Sequence, residues 1–254
     1  MADPAAPTAT PASPGWHRYT TARPAGSEPA DAVTYGADLP SETELRLLGP
    51  VDGRRILDLG CGAGRNAVIL AAQGAKVVGV DPSAAHLTEA RERADAAEVR
   101  VELHQSELAD LAILRSDSTD AALSVMALAT ADDLARVFRQ VHRVLRPEAP
   151  LVAAFPHPAF AMFDPVAADP LRVARSYHDA GPRTWELDQR DVVDHPRTMA
   201  ELFTTLSRGG FRVDQVLEPV APARRKKAVA DDAWADLSAI VPSALIVRAR
   251  KQGN

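Results

Sequence analysis

Ile56-Leu57-Asp58-Leu59-Gly60-Cys61-Gly62-Ala63-Gly64 is an apolar run that carries a carboxylate and opens into a glycine loop. A helical stretch, Asn66 to Ala72, follows, with Gly74 as its terminator. A second apolar run, Val77-Val78-Gly79-Val80, then ends in Asp81. Strand, glycine loop, helix and strand in this order make a βαβ unit of an α/β sheet. A carboxylate at the end of the second strand is placed to accept hydrogen bonds from ribose hydroxyls. Glycines spaced only for tight turns would not require carboxylates on both strands. The layout points to a nucleoside site.

The glycine spacing separates two ligand classes. A dinucleotide loop reads G-x-G-x-x-G, and its third glycine lets the helix pack on the strand. Counted from Gly60, that third position is Arg65; counted from Gly62, it is Ala67. The compact Gly60-x-Gly62-x-Gly64 loop, with Asp58 two residues ahead, resembles motif I of the class I S-adenosylmethionine (SAM) dependent methyltransferases. Gly79-Val80-Asp81-Pro82-Ser83 resembles the next motif of that family. The resemblance implies SAM as cofactor. Gly60, Cys61, Gly62 and Gly64 would lie under its methionine part, Asp81 on the ribose and Pro82 flat on the adenine. Asp58 would add to an acidic surround suited to a sulfonium cation. The family often carries an acid after strand 3 that contacts the adenine amino group. Here Ser106 stands at that position, and Glu107 is the neighbouring carboxylate.

Composition bounds the function. The chain has 254 residues, enough for one α/β domain with an insertion or for two small domains. A formal charge of -5 disfavours a general nucleic-acid binder, which presents a large basic face. The basic cluster Arg224-Arg225-Lys226-Lys227 is followed by Asp231-Asp232 and reads as a solvated loop. The single cysteine, Cys61, excludes an internal disulfide and fits a reducing compartment. Inside the loop it reads as a small filler rather than a nucleophile. The sequence shows no bilayer-spanning apolar run and no signal-peptide pattern, so a cytoplasmic location without a membrane partner is expected. No metal-ligand pattern is evident, and the oligomeric state stays open.

Along the chain, residues 1–30 are rich in Ala and Pro and are expected to be disordered, with Trp16 and Tyr19 as possible docking points. Residues 31–254 read as the methyltransferase domain. Ser41 and Glu44 form a capping box for a first helix, in which Leu45 and Leu48 share a face before Gly49-Pro50. Strands are expected at Arg55–Leu59, Lys76–Val80, around Val99–Leu103, Ala121–Val125 and Leu151–Phe155. The alternation of the third strand marks it as an edge. A helix opening at Thr130 carries the stripe Leu134, Val137, Phe138, Val141 and Leu145. The proline-dense segment 156–197 interrupts the pattern as an insertion that covers the substrate. A capping box at Thr198 and Glu201 starts the last helix. Strands at Phe211–Leu217 and Ala244–Val247 then form an antiparallel hairpin. The resemblance gives the sheet order 3-2-1-4-5-7-6, a Rossmann-like α/β fold with helices on both faces.

Ligands of open α/β sheets bind beyond the carboxyl ends of the strands. Residues 60–66, 81–83, 105–107, 126–130 and 156–160 converge there, and Met126 opens the fourth segment beside the cofactor. Methyl transfer mainly needs proximity and alignment, with a base where the acceptor must lose a proton. His157, after strand 5, is the candidate base; it also reads as a residue that only positions the Pro156-His157-Pro158 turn. His195-Pro196-Arg197-Thr198 resembles a segment of small-molecule members, which makes His195 and Arg197 candidate substrate contacts. Tyr35 lies where related enzymes close a lid, though packing explains it as well. Ser124-Val125-Met126-Ala127-Leu128 offers no polar side chain suited to hold an amine, so O- or C-methylation of a small molecule is expected, secondary metabolism being one setting. Two other readings compete. One is a repurposed fold that catalyses a non-methylating step such as cyclisation, or serves as a partner subunit. The other is a nicotinamide oxidoreductase, which fits Asp58 and Asp81 poorly.

Overall fold

The structure is a computed structural model that describes residues 31–36, 39–164, 169, 171–187, 190–219 and 237–253. Trp16, Tyr19, the expected disorder of residues 1–30 and the Arg224–Lys227 cluster lie outside the described residues.

The parallel half of the sheet grows from the quoted stretch. Strand β1 (Arg55–Leu59) pairs with β2 (Lys76–Asp81) and with β4 (Ala121–Val125). β2 pairs with β3 (Val101–Gln105), and β4 pairs with β5 (Pro150–Pro156). All four pairings are parallel, so the carboxyl ends of five strands share one edge. β8 (Phe211–Leu217) and β9 (Ala244–Lys251) complete the sheet in antiparallel fashion. The order is β3-β2-β1-β4-β5-β9-β8, which is the expected order with a separate two-stranded hairpin counted in. β3 is the edge, as its alternation predicts.

Both faces are covered. On one lie α4 (Leu134–Val144) and α5 (Met199–Arg208), which bury Val137, Phe138, Val141, Leu202 and Leu206 against Leu57, Leu59 and Leu151. On the other, α2 (Arg65–Ala72) buries Ala67, Ile69 and Leu70 with Ile56, Val77 and Leu123. Helix α3 (Ala84–Ala96) turns Leu87, Ala90 and Ala94 inward. Such two-faced burial explains why β1 and β2 read as continuous apolar runs.

Several boundaries differ from the sequence reading, each for a physical reason. The first helix, α1 (Glu42–Leu45), is one turn long, because Arg46 adopts a left-handed conformation (φ 52°). The Glu42 carboxylate then accepts the N–H groups of Leu47, Leu48 and Gly49. α4 does not open at Thr130. Ala127–Thr130 is a separate 3₁₀ turn, and Asp133 caps α4 by accepting the Arg136 N–H at 2.8 Å. β9 continues four residues past Val247 because its charges are paired. Arg248 and Arg250 both reach Asp214, at 2.8 and 2.7 Å, and Lys251 reaches Asp117 at 2.7 Å. The insertion is more regular than its prolines suggest, with strands β6 (Arg183–Leu187) and β7 (Arg190–Asp194) forming a hairpin. No helix among the described residues is long and apolar enough to cross a membrane.

Candidate active site

The glycine loop closes β1 onto β2. The N–H groups of Gly60 and Cys61 both donate to the Val80 carbonyl, at 2.7 and 3.1 Å. The Gly62 N–H donates to Oδ2 of Asp81 at 2.9 Å, and the Ser83 N–H donates to Oδ1 at 2.9 Å. His86 completes this shell with Nδ1 3.3 Å from Oδ1. Burial pushes the Asp81 carboxyl up, but the hydrogen bonds from His86, Ser83 and Gly62 outweigh it and hold the group below its usual range. Asp81 is therefore an oriented anion whose oxygens each retain accepting capacity.

Gly60 and Gly62 serve different ends. Both have positive φ, 74° and 53°. A Cβ on Gly60 would fall 2.1 Å from the Ala127 Cβ, so that position is filled by the turn after β4. A Cβ on Gly62 would meet nothing within 4 Å, so the loop presents bare backbone to open space there. Gly64 ends the loop as the residue capping α2. The Cys61 sulfur packs toward Gly79, 3.0 Å from where a Cβ would stand. Burial pushes its thiol far up, with Asp58 and Asp81 adding to the effect.

Asp58 lies under this loop. It is 3% exposed, and it accepts a backbone hydrogen bond from Ala67 in the first turn of α2. Its Oδ2 is buried with no hydrogen-bond partner among the described residues. Burial, and secondarily the Asp81 charge, push its carboxyl up to about 7. In the unfolded chain the group ionises near 3.8. Between these values the folded state holds a proton that the unfolded state has released, so stability without ligand declines as pH rises through that window. Asp58→Asn is expected to flatten this decline. Melting temperatures of both proteins from pH 4 to pH 7 check it, and parallel slopes would show that Asp58 does not carry the proton.

These features fit a cationic nucleoside. A buried carboxylate oxygen lacks a partner among the described residues, a backbone cradle is open at Gly62, and the Gly62 N–H is bonded to the ionised Asp81. Asp81 would hold the ribose, and a cation beside Asp58 would favour release of the proton that burial holds there.

Other expected contacts fare differently. Pro82 and Glu107 are exposed at the rim. Ser106 holds the rim together: its N–H donates to the Asp81 carbonyl at 3.2 Å and its hydroxyl to the Asp110 carbonyl at 2.9 Å. Met126 sits at the end of β4 in a left-handed conformation (φ 62°), and its side chain is wholly buried in the core. It offers the cofactor backbone only. Tyr35 is a core residue in this structure, with 0% exposure and its hydroxyl donated to Glu42. It is not placed to touch a substrate, because apolar burial and that bond consume the whole side chain.

His157 is buried. Its Nδ1 accepts the Ala159 N–H at 3.1 Å, which puts the ring proton on Nε2, 2.9 Å from Glu218. Both nitrogens are thus engaged, and the turn-positioning alternative describes this geometry.

His195 and Arg197 come together as the sequence suggests. They line a cleft of about 340 Å³, counted out to solvent, with Ala129, Phe155, Pro156 and Pro158. Arg197, however, spends its guanidinium on the backbone carbonyls of His195, Ala131 and Asp132. It braces the wall of the cleft.

Sequence reasoning missed three supports of the donor loop. Arg93 donates to the Ala63 carbonyl at 3.0 Å, and Asn66 exchanges two hydrogen bonds with the Thr34 backbone at 3.0 and 2.9 Å. His86 is the third. Its only sequence signal is a place in the first turn of α3, five residues after Asp81; the other two pairings cross 30 or more residues.

A family model for the methyltransferase domain matches residues 56–148. A crystal structure of an S-adenosylmethionine dependent methyltransferase from Mesorhizobium loti is 32% identical, with a TM-score of 0.64; the match covers 82% of this chain and 96% of that one. The chain belongs to the class I SAM-dependent methyltransferases. SAM is the cofactor. Within the family, a ubiquinone biosynthesis O-methyltransferase from Azorhizobium caulinodans is 45% identical over 69 residues. A magnesium-protoporphyrin O-methyltransferase from Rhodobacter capsulatus is 34% identical over 133 residues, or 51% of this chain. The chain spans 27% and 58% of the lengths of these two curated relatives.

Proposed function

We propose that this methyltransferase moves a methyl group from SAM to a small-molecule acceptor, with oxygen the favoured site of methylation. One observation carries the reading: the 3₁₀ turn Ala127–Thr130 touches both halves of the site. Ala127 abuts Gly60 of the donor loop, and Ala129 lines the cleft and accepts the His195 N–H at 2.8 Å. Donor loop and cleft therefore meet on one short element, as an in-line transfer between two bound reactants needs. Phe155, Pro156, Pro158, Ala161 and Leu202 give the cleft apolar walls. The two relatives named above are O-methyltransferases of small molecules, which supports the same preference.

When bound, SAM supplies an electrophilic methyl group and a neutral thioether leaving group. The chain's own contribution is placement. Asp81 fixes the ribose, Gly62 allows close approach of the backbone, and the proline-walled cleft seats the acceptor. The insertion around β6 and β7 covers that side.

Purified protein incubated with methyl-labelled SAM and a small-molecule extract of its producing cells is expected to label an organic product. Demethylated donor should form in equal amount. SAM binding without label transfer, alongside an acceptor whose skeleton is rearranged, would place the chain among repurposed folds instead.

A further inference from the structure

Among the described residues the cleft presents four polar side chains, and three are already committed. Arg183 and Asp194 are joined by two parallel contacts, Nε to Oδ1 at 2.9 Å and Nη2 to Oδ2. Arg197 is spent on carbonyls. His195 is different. Its backbone N–H is anchored to Ala129, which fixes the residue over the turn shared with the donor loop. Its ring makes no hydrogen bond within 3.5 Å among the described residues; the largely exposed Asp132 side chain has its Oδ1 3.7 Å from Nδ1, within ion-pair range. The ring is about one-fifth exposed at the cleft, with a path to solvent.

We infer that His195, rather than His157, takes the proton from the acceptor's hydroxyl, with Asp132 as a positioning residue behind it. The inference rests on the methyl-transfer reading above. Drawn in from 3.7 Å onto Nδ1, the Asp132 carboxylate would favour the tautomer with the proton on that nitrogen and leave the Nε2 lone pair for the acceptor. Oriented imidazoles act as general bases in this arrangement. The step balances. The acceptor's O–H bond breaks as Nε2–H forms, the oxygen pair bonds the methyl carbon, and the S–C pair stays on sulfur. The imidazolium then returns its proton to water at the rim.

The charges around the ring fit this role. From the segment before α4 come Asp132 and Asp133, the latter occupied in capping the helix. From the hairpin comes the Arg183–Asp194 pair, and from the ring's own segment the braced Arg197. Glu201, near Arg197, is bonded to Thr198. None of these places a free cation against His195. His157, by contrast, has its Nδ1 lone pair occupied by a backbone N–H and its Nε2 proton directed at Glu218.

Nitrogen-15 spectra of the labelled full chain at neutral to mildly alkaline pH read the tautomers directly, without an acceptor. His195 is assigned by the signal lost in His195→Gln. It should carry its proton on Nδ1, and His157 should carry its proton on Nε2. In Asp132→Asn the His195 preference should weaken. A His195 that carries its proton on Nε2 in the wild-type protein overturns the inference.

Transfer from methyl-labelled SAM into the producing-cell extract gives the second readout. His195→Gln is expected to lower it by about 10²–10⁴-fold at neutral pH. Part of that loss should be recovered as rising pH ionises the acceptor without help. Calorimetric SAM affinity should match wild type. Asp132→Asn should lower kcat with little change in KM. Transfer by His195→Gln equal to wild type overturns this inference alone. Absence of transfer by the wild-type protein overturns the methyl-transfer reading, and the inference with it.

Discussion

Replacing Asp81 with Ala is expected to weaken SAM binding by about 10²–10⁴-fold. Hydrogen bonds to a charged group contribute about 1.5–3 kcal/mol each, and two ribose hydroxyls are at stake. About 1.4 kcal/mol corresponds to a factor of ten. The expectation depends on Asp81 being ionised and already aimed. Its hydrogen bonds from Gly62, Ser83 and His86 do both, because they hold its proton affinity down and fix the plane of the carboxylate. Asp81→Asn should fall between the two, since its amide retains one acceptor. Titration calorimetry with SAM and with its demethylated product measures all three proteins. Equal affinities across the series would remove the ribose assignment.

The second large effect separates two glycines that look alike in the sequence. Gly60→Ala is expected to destabilise the fold strongly, because the new methyl would sit 2.1 Å from the Ala127 Cβ at a backbone φ of 74°. Overpacking costs about 1–3 kcal/mol and the left-handed conformation about 1–2 more. At about 2–4 °C per kcal/mol for a domain of this size, the melting temperature should drop by roughly 4–20 °C. Gly62→Ala has only its φ of 53° against it, since nothing lies within 4 Å of the new Cβ. It should lose about 1–2 kcal/mol of stability, yet lose most SAM affinity, because the methyl occupies the ligand's side of the loop. Thermal melts and calorimetry on both variants read the two effects. A Gly62→Ala protein that melts lower than Gly60→Ala, or that binds SAM as wild type does, would contradict the division of roles.

The donor half was legible in the sequence for local reasons. A buried parallel strand reads as an apolar run, a loop with repeated positive φ favours glycine, and Asp81 ends the next strand. Burial of Asp58 and Asp81 could be anticipated from strand position alone. The acceptor half depends on long-range contacts. His157 looked like a free base because the sequence does not show that Glu218, 61 residues away, sits on Nε2. Tyr35 looked like a lid residue because its hydroxyl partner, Glu42, belongs to a helix only one turn long. Thr130 and Asp133 both carry cap chemistry, three residues apart. Only packing decides that Thr130 donates back to the Ala127 carbonyl, at 2.8 Å, while Asp133 caps the helix. The β6–β7 hairpin was obscured by short strands with charged ends in a proline-dense segment. The extension of β9 was obscured by Arg248, Arg250 and Lys251, whose partners Asp214 and Asp117 lie far along the chain.

A crystal structure with the demethylated donor bound tests the central claim most directly, that donor loop and cleft form one site joined by the Ala127–Thr130 turn. The ribose hydroxyls should lie on Asp81 and the ligand backbone over Gly62. The sulfur should face the cleft between Ala129 and Pro156. A nucleoside bound away from Asp81, or a sulfur turned from the cleft toward bulk solvent, would contradict the account.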